Sequence, residues 1–234
     1  MLFKKTNFFI YVVLFSSHIL LGNELQSSVE SYQKVLVNAG VTGSNVAGVY
    51  SKDKTLAFSI VNSNIEGDKS ISNETIFPIW SMSKPITIAA MMILRDRQLF
   101  DVKDPVKKYL PYFDNLQCKS EEESIGTYNC ANDLLIEHLL THRSGYGYVA
   151  FGANVPDHRD PFKDLDEFVR HVANRPVNFE PGTEYHYGIN QAIWGRLVED
   201  WSGKECNQFM KENIWEHEEW KEKKISARFI CDLV

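Results

Sequence analysis

Ser81 and Lys84 stand three residues apart in the stretch Phe77-Pro-Ile-Trp-Ser-Met-Ser-Lys-Pro-Ile-Thr87, where an apolar run begins. On a helix that spacing puts both side chains on one face, one turn apart. A hydroxyl so placed has a proton acceptor beside it once the amine is neutral. Burial and the positive end of the helix both disfavour the ammonium, so the expectation is a lysine pKa pushed down. The same helix end offers unpaired backbone N–H groups to a developing oxyanion. Such a set suits attack of an activated serine on a carbonyl carbon.

Spacing alone decides little, because Ser-x-x-Lys recurs at Ser31/Lys34 and Ser51/Lys54. Ser31 lies in a polar amphipathic stretch, and Ser51 to Lys54 reads as a turn between two short strands. Only Ser81 opens a run, Ile86 to Leu94, that is hydrophobic nearly all round and predicts a central helix. Pro85 falls in its first turn, where the missing N–H costs nothing.

A second chemical phrase is Pro181-Gly-Thr-Glu-Tyr-His-Tyr187, followed by a helix-periodic run from Ile189 to Trp201 and a stop at Gly203. Tyr187 therefore projects from a loop just ahead of a helix. A phenol held near a lysine ammonium has a lowered pKa and can serve as a general base.

The elements that carry these phrases follow from periodicity. Residues 24–37 have helical spacing, and Val46–Tyr50 and Thr55–Val61 read as strands joined by a charged turn. Leu134 to Gly145 reads as a short amphipathic helix with a glycine stop. His138 and His142 sit i, i+4 on it, but no glutamate follows His138 as in His-Glu-x-x-His. Their expected role is packing or loop capping, with no metal and no cofactor. Tyr146, Tyr148 and Phe151 read equally as walls of a substrate cleft or as ordinary loop aromatics.

Composition narrows the partners. The net charge of −6 and pI near 5.7 argue against nucleic acid. Lys4 and Lys5 precede an apolar run from Phe8 to Leu21, shorter than the ~20 residues of a membrane span and suited to a secretory signal core. The expected organisation is a signal peptide over 1–22, one domain over 23–215, and a divergent charged tail over 216–234. The expected location is secreted or periplasmic, with no membrane span after signal cleavage. Cys118 and Cys130 bracket the polar stretch 119–129 and are expected to staple it. Cys206 and Cys231 complete a set that allows three full pairings. The sequon Asn73-Glu-Thr75 has meaning only in a eukaryotic secretory pathway.

Taken together, the two chemical phrases resemble the serine β-lactamase and penicillin-binding protein superfamily. The resemblance is narrowest to its class C-like branch, with family VIII carboxylesterases and D-Ala-D-Ala peptidases. Thr75-Ile-Phe-Pro-Ile-Trp80, Gln98-Leu-Phe-Asp-Val-Lys-Asp-Pro-Val106 and Leu139-Leu-Thr-His-Arg-Ser-Gly145 are similar to phrases of that branch. The resemblance implies an α/β (α+β) fold of the β-lactamase/transpeptidase type, an antiparallel sheet with flanking helices plus an all-helical lobe. It implies Ser81 as nucleophile, Lys84 and Tyr187 sharing the proton, and a small-molecule ester or amide as substrate. β-Lactamases of this class carry Tyr-x-Asn, whereas Ile189 holds the third position here. That departure, with the continuation Gly195-Arg-Leu-Val-Glu199, moves the reading towards ester hydrolysis.

The resemblance runs from about Val46 to Trp215. Family members continue into further sheet strands, a Lys/His-x-Gly type motif and a second oxyanion donor. The expectation is a fold lacking its C-terminal strands and a chain that is weakly active or inactive. Rival readings are a non-catalytic binding or regulatory relative, a gene fragment, and a D-Ala-D-Ala carboxypeptidase.

Overall fold

The computed structural model describes residues 23–52, 54–122, 124, 126–148 and 162–216. The expected signal segment, Phe151 and all of the expected tail except Glu216 lie outside these residues. The chain divides into two compact units, one ending at Phe77 and one beginning at Pro78. Among the described residues no helix is long and apolar enough to cross a membrane.

In the first unit a helix, α1 (23–38), accompanies an antiparallel hairpin of β1 (Asn45–Ser51) and β2 (Lys54–Val61). The hairpin alternates as strands do. Ala57 and Ser59 are buried, whereas Val46, Leu56 and Phe58 remain more than a third exposed. Two glutamines of α1 join helix to hairpin. Gln26 donates to the Phe58 carbonyl and accepts from the Phe58 N–H, both at 3.0 Å, so its amide completes a strand's backbone pairing. Gln33, almost fully buried, donates to Asn45 Oδ1 at 2.7 Å and reaches the Ser59 carbonyl at 3.3 Å. A buried amide without such partners would cost about 1–3 kcal/mol.

The second unit is mostly helical. A 3-10 turn, Trp80–Met82, leads into α2 (Ser83–Asp96). α2 buries Ser83, Lys84, Thr87, Ala90, Met91 and Leu94, a stripe at helical spacing, while Ile86, Ile88, Met92 and Ile93 are only partly buried. The helix is therefore amphipathic here rather than enclosed on every side. Its principal partner is α5 (Asn190–Ser202), which also contacts α3 (Ile136–Leu140), α4 (Leu165–Ala173) and α6 (Cys206–Met210). Trp194 and Leu197 of α5, Phe168 of α4 and Phe209 of α6 are among the fully buried side chains of this core. α5 ends as its glycine stop predicts, with Gly203 at φ 67°.

Two local readings need correction. The helix expected over Leu134 to Gly145 spans only Ile136–Leu140, because Leu135 is extended and pairs as an isolated bridge with Pro105, and His142, at φ 55°, lies past its end rather than on it. The polar stretch after Cys118 holds a second small antiparallel sheet, β3 (Gln117–Lys119) with β4 (Thr127–Asn129). The Cys118–Cys130 disulfide closes it as expected, across a Cα–Cα distance of 5.2 Å.

Candidate active site

The segment before α2 presents Ser81 on an exposed 3-10 turn. Trp80 takes φ 49°, a left-handed conformation uncommon for a bulky residue, and this turns the chain just before the serine. Lys84 follows one turn later, with its stem buried in the stripe that faces α5. Its Nζ donates to Ser81 Oγ at 3.3 Å. The sequence-derived pair is thus in contact.

Tyr187 comes to the same place from the loop ahead of α5. Its ring centroid lies 4.9 Å from Lys84 Nζ. Gly188 makes the approach possible: a Cβ there would lie 2.0 Å from the Tyr146 carbonyl oxygen, so no side chain fits. A Cβ at Gly147 would meet the His186 ring at 2.8 Å, so the two loops touch through both glycines.

That close approach brings in a residue whose role the sequence left open. Tyr148 Oη accepts from Lys84 Nζ at 2.9 Å, and its ring lies 5.8 Å from that of Tyr187. Tyr148 is therefore more than an ordinary loop aromatic: it belongs to the group of side chains around Lys84. Tyr146 is instead a core residue, 4% exposed. The signal for Tyr148 was the Gly-Tyr-Gly-Tyr run itself, which carries no information about which phenol turns inward.

Electrostatics overturn one expectation. Burial does push the Lys84 amine down, but hydrogen bonds with Tyr148 and Tyr187 and their negative charge in the ionised form outweigh it, and the pKa is raised. Tyr187 moves the other way. Burial raises it, yet hydrogen bonds from Ser81, Lys84 and Tyr148 and the lysine charge carry it below the ordinary phenol value. The arrangement favours an ammonium beside a phenol that ionises readily.

His142 backs the tyrosine, with its ring 4.5 Å from the Tyr187 ring. Its Nδ1 lies 3.0 Å from Asn190 Nδ2 and 3.4 Å from the Gly188 N–H. Burial, then the Lys84 charge, lowers the His142 pKa and favours the neutral ring these donors require. Asn190 is fully buried and accepts from Ser144 Oγ at 2.6 Å. His138 Nδ1 accepts from the Leu135 N–H at 3.2 Å at the start of α3. Both histidines thus take the packing and capping roles the sequence suggested. Among the described residues Cys118, Cys130 and Glu180 bring potential metal-ligating atoms within 4.8 Å of one another, but the two sulfurs are bonded to each other.

Comparison with known proteins gives a consistent lineage. The Beta-lactamase family model matches residues 31–219. Among curated proteins, the chain is 28% identical over 213 residues to acyltransferase calJ of Penicillium decumbens, covering 84% of this chain and 42% of that protein. It is 28% identical over 153 residues to esterase EstB of Burkholderia gladioli, covering 59% of this chain and 36% of that protein. Among solved structures, EstCE1, described as a hydrolase with promiscuous acyltransferase activity, superposes with a TM-score of 0.71 at 21% identity, covering 84% of this chain and 52% of that one. The penicillin-binding protein homologue from Pyrococcus abyssi gives 0.63 at 20% identity, over 86% and 46%. These two show the fold, β-lactamase/transpeptidase-like with small antiparallel sheets among helices. The chain spans about half the length of the proteins it matches, or less.

Proposed function

The chain belongs to the beta-lactamase family, and from that premise we propose that it is a serine acyl-transfer enzyme acting on a small-molecule ester. The observation that carries this reading is the contact of Lys84 Nζ with Ser81 Oγ at 3.3 Å and with the Tyr187 ring at 4.9 Å from its centroid. Ser81 is the nucleophile, Tyr187 the general base, and Lys84 the ammonium that holds the phenolate in its ionised form.

The steps follow from those roles. Tyr187 Oη takes the proton from Ser81 Oγ as Oγ bonds to the ester carbonyl carbon. The Ser81 backbone N–H donates to the resulting oxyanion. Collapse breaks the bond to the leaving alkoxide, which receives the proton from Tyr187 and departs as an alcohol. Water or a second alcohol then gives its proton to Tyr187 and attacks the Ser81 ester. Collapse of that second adduct returns the proton to Oγ and releases an acid or a new ester.

Two details of the chain and its relatives refine the reading. Ile189 stands where a Tyr-x-Asn amide would hold an acylamide, which favours esters over lactams. Relatives named as an esterase and as an acyltransferase, EstB and calJ, favour hydrolysis and acyl transfer alike. The disulfide Cys118–Cys130 supports an oxidising compartment, in line with the apolar run Phe8–Leu21 as a secretory signal.

The test is acyl-enzyme trapping. A p-nitrophenyl ester should release a stoichiometric burst of phenol and leave the acyl group on the peptide that carries Ser81. Partition of that acyl group between water and added alcohols separates hydrolase from transferase. Release of phenol with the acyl group on no peptide, or on a peptide lacking Ser81, would refute the assignment.

A further inference from the structure

We propose that Gln191 and Ser83 form a positioning relay that sets the direction of the Ser81 N–H, the donor assigned above to the oxyanion. This inference rests on the acyl-transfer reading of the same site. Gln191 lies in the first turn of α5, Ser83 is the first residue of α2, and both are buried, 5% and 1% exposed. The Gln191 amide nitrogen lies 3.0 Å from Ser83 Oγ and 3.3 Å from Thr87 Oγ1. The Ser83 hydroxyl has two acceptors, the Trp80 carbonyl oxygen at 2.7 Å and Gln191 Oε1 at 3.3 Å, and the shorter bond adds to the one that the Ser83 backbone N–H gives the same carbonyl.

The consequence lies in the peptide that this hydrogen bond grips. The Trp80 carbonyl and the Ser81 N–H belong to one planar unit, and in a trans peptide they point in opposite directions. No cis peptide occurs among the described residues. Holding the carbonyl against Ser83 therefore aims the N–H away from the start of α2. Trp80 is the residue at φ 49°. A strained turn keeps such a conformation only when surrounding bonds fix it, and with the Ser83 hydroxyl gone the Trp80–Ser81 peptide keeps only the Ser83 backbone N–H to hold it against rotation. Ser83, Thr87 and Gln191 take one another's hydrogen bonds at a point one peptide removed from the nucleophile.

Removing one oxyanion donor typically slows an enzyme by ~10²–10³, and misdirecting it should cost a substantial part of that. The experiment measures the rate at which a fluorophosphonate labels Ser81 in the whole chain, alongside thermal unfolding and the pH dependence of labelling. Ser83→Ala removes the side-chain bond to the Trp80 carbonyl with little change of volume, leaving only the Ser83 backbone N–H on it. The triple variant Ser83→Ala/Thr87→Val/Gln191→Leu replaces every member of the relay by an apolar group, which can be nearly neutral for stability. The expected result is labelling slower by about tenfold or more in both variants, with the pH midpoint unmoved, because the base Tyr187 is untouched. The triple variant should unfold near the wild-type temperature while staying slow, which separates positioning from stability. Wild-type labelling rates in a folded variant of either kind would overturn the relay alone. A wild-type chain that is folded but never labelled at Ser81 would overturn the acyl-transfer reading and the relay with it.

Discussion

Lys84 Nζ lies 2.9 Å from Tyr148 Oη and 3.3 Å from Ser81 Oγ, so the amine is held more closely by a second phenol than by the hydroxyl beside it. Tyr148 is one of the hydrogen-bonding groups that raise Lys84 and lower Tyr187, against the opposing effect of burial on each. Its phenol therefore helps to set which partner carries the proton.

Replacing Tyr148 by Phe should move the rate profile on the pH axis. Tyr187 loses a hydrogen bond that favours its phenolate, so its pKa rises, and Lys84 loses an acceptor, so its pKa falls. A base active when deprotonated then works only at higher pH. The ascending limb of labelling rate against pH should move upward, and the rate at neutral pH should fall roughly tenfold for every whole pH value the limb moves. An unmoved limb would show that Tyr148 only lines the cleft.

Gly188→Ala should be far more damaging than its size suggests. The added methyl would fall 2.0 Å from the Tyr146 carbonyl oxygen, a backbone atom that cannot swing aside. The loop carrying Tyr187 must retreat, and a displacement near 1 Å can cost ~10² in rate. Labelling at least a hundredfold (~10²) slower, with reduced thermal stability, is expected; wild-type behaviour in both would place the two loops differently.

The α4–α5 contact carries its own pH signature. Asp166 of α4 accepts from Arg196 of α5 at 2.9 Å and from Arg170 at 2.6 Å. Burial raises the Asp166 pKa, but the two guanidinium groups outweigh it and hold the carboxyl below its usual range. A depressed folded-state pKa stabilises the fold above the unfolded value, near ~3.9, and that contribution disappears as pH falls through the folded value. Asp166→Asn should therefore lower stability at neutral pH by roughly 1 kcal/mol. Urea unfolding should show the gap between variant and wild type closing in acid; a gap independent of pH would assign it to packing.

Cys118 is fully buried, and its disulfide to Cys130 closes a loop of 12 residues in sequence separation. Removing both sulfurs as Cys118→Ala/Cys130→Ala should cost about 3 kcal/mol by loop-closure entropy. The urea midpoint reads this directly, and an unchanged midpoint would mean the β3–β4 sheet holds without its staple.

Much of the site was legible in the sequence, for reasons that particular residues make plain. Ser81 and Lys84 share a helix entrance and Tyr187 precedes a helix that ends at Gly203, so local spacing together with the family resemblance singled out three residues that the fold brings together. Tyr148 was not separable from its aromatic neighbours, because its contact with Lys84 spans 64 residues and depends on the clearance at Gly147 and Gly188. The direction of the Lys84 pKa was misread for the same reason. Burial and the helix end are visible locally, whereas the two phenols that reverse the sign arrive from elsewhere in the chain. Ser83 and Gln191 gave no signal at all, since a serine at a helix start and a glutamine within one have many ordinary uses.

The measurement that bears most directly on the central claim is intact mass after exposure to a fluorophosphonate, with Ser81→Ala as control. Ser81 as an assembled nucleophile predicts a single adduct on the wild-type chain that vanishes in the variant. A chain shown folded by near-ultraviolet circular dichroism that takes no adduct, or an adduct that persists in Ser81→Ala, would contradict it.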